Sequence, residues 1–139
     1  MTDQTASGDL TAGMRDAMPF TAVLGMQTIV ATAQEVRARI DWDASLCTVG
    51  GNLHGGLLMG LADTCGGWCA YLNLPADAAG TATVESKTNF LRGVSEGYVE
   101  AVARPLHVGR TFIVADTELR DSAGRLVART TQTQAVLRS

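Results

Sequence analysis

The stretch GGLLMGLADTCGGWCAYLN, running from Gly55 to Asn73, decides how this chain folds. Pro75 lies just beyond it, and the residue before a proline is pushed out of the helical region, so a helix starting near Gly55 ends by Asn73. Apolar residues lie nearly all round this helix, which predicts burial rather than a wet surface position. Gly55, Gly56, Gly60, Gly66 and Gly67 each weaken it. Close approach of another backbone would compensate, and a sheet wrapped tightly around the helix would supply it.

On the N-terminal side, residues Met26 to Trp42 have a strand-like pattern. Glu35 to Trp42 alternates strictly, with Val36, Ala38, Ile40 and Trp42 on one face. On the C-terminal side four strands follow, over about 81–91, 98–108, 110–120 and 125–137. Val84, Ser86, Thr88 and Phe90 share one face of the first of these. Asp121-Ser122-Ala123-Gly124 is a strong hairpin turn, and Val108-Gly109-Arg110 reads as another tight connection. A run of such strands favours antiparallel pairing, and the only long apolar element available to cover it is the 55–73 helix. The expected architecture is α+β, a curved antiparallel sheet wrapped around a central buried helix. Residues 1–18 are expected to be a flexible N-terminal segment, carrying a short helix from Leu10 to Met18 that Pro19 halts. Residues 19–139 form one domain.

The 139 residues suffice for a single core, and a net charge of −3 argues against nucleic acid or an anionic membrane as the main partner. Cys47, Cys65 and Cys69 are odd in number, a poor basis for a disulfide framework, and the two histidines do not lie at metal-ligand spacing from them. They read as reduced thiols acting as small hydrophobes, with no metal. No apolar signal segment opens the chain, and the uncharged run Leu57–Leu72 is too short to span a bilayer and carries Asp63. A cytoplasmic location is the default expectation.

Between Ala44 and Ala76 the only Asp, Glu, Lys or Arg is Asp63. Asp is a poor mid-helix residue and is rarely buried without a partner, and no Lys or Arg lies within a turn of it on this helix. A hydrogen bond to a neighbouring strand or to Thr64 would explain it structurally, whereas catalysis would explain it chemically. The second feature is Asn52-Leu53-His54-Gly55-Gly56 at the helix start. Unpaired backbone N–H groups there favour negative charge, and glycine lets a ligand oxygen approach them, which suits an oxyanion hole. Simple helix initiation by Asn52 or His54 is the competing reading. His54 and Asp63 stand nine residues apart, roughly 13.5 Å along one helix and half a turn apart in direction, so they cannot meet within one chain. Two such helices lying antiparallel in a dimer would bring Asp63 of one subunit to Gly55 of the other.

His54-Gly55-Gly56 followed by Leu61-Ala62-Asp63-Thr64 resembles the hot-dog-fold thioesterases of the phenylacetate-pathway (PaaI) type and is similar to the 4-hydroxybenzoyl-CoA thioesterases with a helix-borne acid. The likeness runs from about residue 19 to 138, including Phe90-Leu91-Arg92 and the closing hairpin. It implies a hot-dog fold, hydrolysis of an acyl-CoA thioester, no cofactor, and a homodimer or homotetramer. It implies that Asp63 is the nucleophile or general base, that the Gly55 N–H polarises the carbonyl beside Gly56, and that His54 mainly orders the loop. Where relatives often carry Asn or Gln six residues before the histidine, this chain has Thr48, with Asn52 as a possible substitute. Thr83 aligns with a hydroxyl that positions water in some relatives, since Gly67 occupies the other place for one. Arg110 and Thr111 match the region that contacts the nucleotide, and Arg92 is a second candidate for the CoA phosphates.

Gly93-Val94-Ser95-Glu96-Gly97 spells a G-x-S-x-G nucleophile elbow, but that device needs a strand-to-helix turn and this segment joins two strands. Two rival functions share the same fold. A hot-dog hydratase or dehydratase would need a catalytic His54, and a non-enzymatic acyl-CoA-binding module would leave Asp63 without a purpose.

Overall fold

The computed structural model describes the backbone of residues 4–139 and the side chains from Gly8 onward; Met1 to Asp3, the start of the expected flexible segment, lie outside the described residues. The elements are α1 (Gln4–Ala17), α2 (Phe20–Val23), β1 (Gln27–Ala31), β2 (Val36–Asp41), a 3-10 turn (Ala44–Leu46), α3 (Gly55–Leu72), β3 (Gly80–Phe90), β4 (Tyr98–Val108), β5 (Phe112–Asp121) and β6 (Leu126–Leu137). The helix expected over Leu10–Met18 thus begins earlier, at Gln4.

The Met26–Trp42 segment is a hairpin of two strands. Thr32 and Glu35 close it by exchanging backbone hydrogen bonds, helped by the Thr32 hydroxyl, which donates to the Glu35 carbonyl. Val36, Ala38 and Ile40 are buried, as their alternation predicts. At the other end of the chain, Gly124 takes a positive φ of 81° and returns its N–H to the Asp121 carbonyl, which turns β5 into β6.

All six strands form one antiparallel sheet in the order β1-β2-β4-β5-β6-β3. The expectation of a curved sheet wrapped around the helix is not met. The sheet is open, β1 and β3 are its two edges, and α3 lies across one face in contact with β2 through β6. The physical reason is on the sheet rather than on the helix. Ala38, Ala101, Ala103, Ala115 and Ala128 are fully buried on the inner face, and these short side chains let α3 settle close without curling the strands around it. The helix glycines serve particular side chains instead. A Cβ at Gly55 would crowd the Phe90 ring, and one at Gly66 would collide with the Gln132 carboxamide.

The outer face is polar. Arg37 and Arg39 pair with Glu100, Arg129 pairs with Asp116, and the Arg39 guanidinium sits 3.6 Å above the Tyr98 ring. Such exposed pairs add little stability each, but they leave the sheet one apolar face to cover. The core lies between that face and α3, around Leu57, Leu58, Leu61, Cys65 and Cys69. Burial pushes the Cys65 thiol up to about 12, with Cys69 beside it adding to the effect, and pushes Cys69 up to about 11. Both are therefore inert hydrophobes at neutral pH. Among the described residues, no helix is long and apolar enough to cross a membrane.

Candidate functional site

The start of α3 is built by the loop before it. Gly50 and Gly51 take φ values of 90° and 81°, which reverses the chain between Thr48 and Asn52. The Thr48 N–H then donates to the Asn52 carbonyl, and Cys47 bridges Leu53. Leu53 and His54 are tied down through their own N–H groups, to the Val94 carbonyl at 2.8 Å and the Leu46 carbonyl at 3.0 Å. His54 is the N-cap: its Nδ1 accepts from the Gly56 N–H at 2.8 Å. That nitrogen is occupied in holding the helix start. The next donor, the Gly55 N–H, has no partner among the described residues. Gly55 itself is among the residues that line a cleft of about 400 Å³, with Leu53, Leu58, Phe90, Leu91, Arg92 and Gly93.

Asp63 lies two turns further along α3, in a second cleft of about 260 Å³. Sequence reasoning placed it inside a buried helix. Its side chain is instead exposed, because α3 buries one side only: Leu57, Leu58, Leu61, Ala62, Cys65, Gly66, Cys69 and Ala70 face the sheet, whereas Gly56, Met59, Asp63 and Tyr71 face outward. No basic side chain pairs with Asp63 among the described residues. Its Oδ1 accepts from the Thr83 hydroxyl at 3.5 Å and from Gln132 Nε2 at 3.4 Å. Both contacts are long.

Thr83 is in turn held from behind. Gln134 Nε2 donates to its hydroxyl at 2.6 Å, and the Thr81 hydroxyl donates to Gln134 Oε1 at 3.1 Å. Gln132 and Gln134 were missed by sequence reasoning. They sit in the polar run Thr130-Thr131-Gln132-Thr133-Gln134, which looks like a solvated strand. The signal was the alternation: positions 130, 132 and 134 continue the face of the buried Ala128, and all three are buried.

The structure gathers some of the expected site residues and disperses others. Asp63 and Thr83 share the second cleft; Gly55 and Arg92 share the first. Gly56 and His54 form the cap between them. The Asn52 carboxamide packs on the Cα of Gly93, where a side chain would collide with it, and Thr48 is exposed in the loop. Arg110 and Thr111 line neither cleft; they form the β4–β5 turn, where the Arg110 carbonyl accepts from Arg138 Nη1 at 2.7 Å. Gly93 to Gly97 connects strand to strand, so Ser95 occupies no nucleophile elbow.

Trp68 and Tyr71 stack with ring centroids 5.0 Å apart along the rim of the Asp63 cleft. Trp68 also lines a larger apolar groove of about 570 Å³ formed with Leu10, Gly13, Met14 and Ala31, whose acidic member is Asp9.

Comparison with known proteins adds a family and several close likenesses. Residues 50–128 match the thioesterase superfamily. Rv1847 of Mycobacterium tuberculosis, provisionally named an esterase, is 30% identical over 125 residues, covering 88% of this chain and 89% of that one. Its solved structure superposes with a TM-score of 0.84 at 28% identity, over 88% of this chain and 98% of its own. A mutant thioesterase PA1618 of Pseudomonas aeruginosa gives 0.84 at 28% identity, over 91% and 93% of the two chains. The 1,4-dihydroxy-2-naphthoyl-CoA hydrolase of Escherichia coli is 34% identical over 87 residues, 63% of each protein.

Proposed function

We propose, for a chain that belongs to the hot-dog-fold thioesterase superfamily, hydrolysis of an acyl-CoA thioester to the free acid and CoA at a site shared by two subunits. The observation that carries this reading is Asp63, a carboxylate free of basic partners among the described residues, set in a cleft on the outward side of α3. Gly55 and Asp63 are eight residues apart, about 12 Å along the axis, so one helix cannot apply both to one carbonyl. An antiparallel pair of α3 helices can.

The outward surface favours such pairing. Met59 is 41% and Tyr71 51% exposed on α3, and the neighbouring β3 is an edge strand with exposed Val84 and Phe90, followed by exposed Leu91. Apolar residues on an unpaired edge are a surface that proteins normally cover. A homodimer covers it and makes two equivalent sites; a homotetramer would be a dimer of such dimers.

In the assembled site the Gly55 N–H donates to the thioester oxygen, and the helix dipole favours the negative charge that develops there. Asp63 then has two routes. As a general base it takes a proton from water, which adds to the carbonyl carbon; the C–S bond breaks and the CoA sulfur leaves with the electron pair. As a nucleophile it displaces the thiolate itself, forming an anhydride that water opens. Single turnover in ¹⁸O water bears on the choice: label in the Asp63 carboxylate establishes the anhydride, opened by water at the aspartyl carbonyl, whereas trapping of an acyl-enzyme is needed if all the label is in the product acid. On this reading Thr83, whose hydroxyl accepts from Gln134 Nε2, orients the water. Arg92 at the Gly55 cleft suits a CoA phosphate, and Arg110 and Thr111 in the β4–β5 turn are the other candidates for contact with the nucleotide. The groove beyond Trp68 suits an apolar acyl chain, and Asp9 disfavours one ending in a carboxylate.

The test is a thioester panel of aryl, short and medium-chain acyl-CoA, assayed with wild type and Asp63→Asn. Turnover of neutral apolar acyl-CoA, lost on the order of 10³-fold in the variant, is expected. Near-normal rates in Asp63→Asn overturn the assignment, and tight binding of every thioester without turnover returns the protein to the acyl-CoA-binding class.

A further inference from the structure

Gln132 lies in the middle of β6, fully buried, with its carboxamide against α3. A buried carboxamide is costly unless its donors and its acceptor are met. Gln134, two residues on, meets that condition at both ends through Thr83 and Thr81. Gln132 does not. Its Nε2 donates to Asp63 Oδ1 at 3.4 Å, and its Oε1 is buried with no partner among the described residues. A residue that leaves an acceptor orphaned to make one long contact contributes little to stability, and an apolar side chain of the same size would serve the core better.

The helix is shaped to admit this same group. Gly66 lies on the buried face of α3, three residues after Asp63, and a Cβ there would stand 2.1 Å from Gln132 Oε1 and 2.5 Å from its Cδ. Alanine is the better helix former at an interior position. The sequence keeps the weaker residue where the carboxamide enters.

We propose that Gln132 is a positioning residue for Asp63. Its amide holds Oδ1, leaving Oδ2, which has no partner among the described residues, to act on water or on the thioester; Gly66 is the notch that lets the carboxamide reach. A carboxylate accepts and cannot donate, so Nε2 must turn toward it, and the orphaned Oε1 beside Gly66 is the consequence. Strands β6 and β3 thereby hold the same oxygen, through Gln132 and Thr83, so the carboxylate's orientation is set by the sheet and not by its own rotamer alone. The inference rests on the reading of Asp63 as the acting carboxylate.

Gln132→Met preserves volume and removes the donor. We expect kcat to fall on the order of 10- to 100-fold, KM to stay within about twofold, and thermal stability to hold or rise. A merely structural glutamine would give the reverse, lost stability with normal turnover per folded site. Gly66→Ala supplies an independent arm. Alone it displaces the carboxamide and reproduces the kcat loss; in a Gln132→Ala background, where its methyl meets empty space, it changes kcat no further. Wild-type kcat in Gln132→Met, or an undiminished Gly66→Ala effect in the Gln132→Ala background, overturns the proposal. Asp63→Asn run alongside keeps the two readings apart: if it too retains wild-type kcat, the Asp63 assignment falls and this inference falls with it, whereas an inactive Asp63→Asn beside a fully active Gln132→Met removes this inference alone.

Discussion

The two sides of α3 are almost equally apolar in sequence and opposite in fate. Inward, Leu57, Leu61, Cys65 and Cys69 are buried against a sheet floored with alanine. Outward, Met59 and Tyr71 stand exposed on either side of Asp63, next to the unpaired edge of β3. The inward side accounts for the fold and has no free chemistry: its thiols are held protonated by burial. The outward side contributes little to the fold of one chain and carries the carboxylate. Hydrophobicity thus has two outcomes on one helix, a core on one side and an exposed apolar surface on the other.

The sharpest way to break this contrast is to ask whether the outward side works alone. Gly55 is the first residue of α3, and His54 before it has φ −62° and ψ 136°, the extended conformation that a following proline requires. Proline is well tolerated at a first helical position, yet it lacks the N–H. Gly55→Pro should therefore fold normally, with the exposed Phe90 ring shifting slightly, and lose about 10²- to 10³-fold in kcat for want of an oxyanion donor. Asp63→Asn should be at least as inactive. Mixed after reversible dissociation, the two dead variants should recover on the order of a quarter of native activity, because each mixed dimer holds one intact site. No recovery in a mixture shown to contain mixed dimers would place both groups in the same subunit's site.

The inward side predicts a different readout. Leu61 is fully buried on the sheet-facing side of α3, and Leu61→Ala should cost about 2–5 kcal/mol of stability by urea unfolding, with turnover per folded molecule unchanged. Met59→Ala, two residues earlier and 41% exposed, should leave the chain's own stability within about 0.5 kcal/mol. It should act on association instead, raising the dimer dissociation constant in sedimentation. Equal losses of stability from both would erase the distinction between the two sides.

How much of this was legible in the sequence follows from the same contrast. The ends of α3 were readable because Pro75 and the His54-Gly55 start are local signals, and the strands because Val36, Ala38 and Ile40 alternate. Asp63 was readable because a lone charge in an apolar run is conspicuous. What covers a helix face is not local, however, so an all-round apolar pattern reads as all-round burial even where one side faces outward. The glycines misled for a related reason. They suggested a wrapped sheet, while Gly66 answers to a single carboxamide arriving from a strand more than sixty residues away. Gln132 and Gln134 were hidden because composition marks their strand as polar, and only its register with Ala128 reveals that the alternate positions face the core.

The smallest predicted effect lies far from both sides of α3, at the β5–β6 turn, and serves as the control for a purely structural carboxylate. Asp121 accepts from the backbone N–H of Arg125 at 2.9 Å, from the Ala123 N–H at 3.0 Å and from Arg125 Nε at 2.8 Å. The Arg125 backbone N–H foremost, with the guanidinium and the Ala123 N–H, holds its carboxyl below the usual carboxylate range. A carboxyl whose pKa is lower folded than unfolded stabilises the fold above its unfolded value, about 3.9 for Asp, and loses that contribution as pH falls through the folded value. Asp121→Asn, which keeps an acceptor for the backbone groups but not the charge, should therefore lower Tm slightly at neutral pH. The gap to wild type should close on acidification from about pH 5 downward. Activity at pH 7 should be unchanged, in contrast to the same substitution at Asp63. A Tm gap that stays constant from neutral to acid pH would show that the Asp121 charge contributes nothing to the turn.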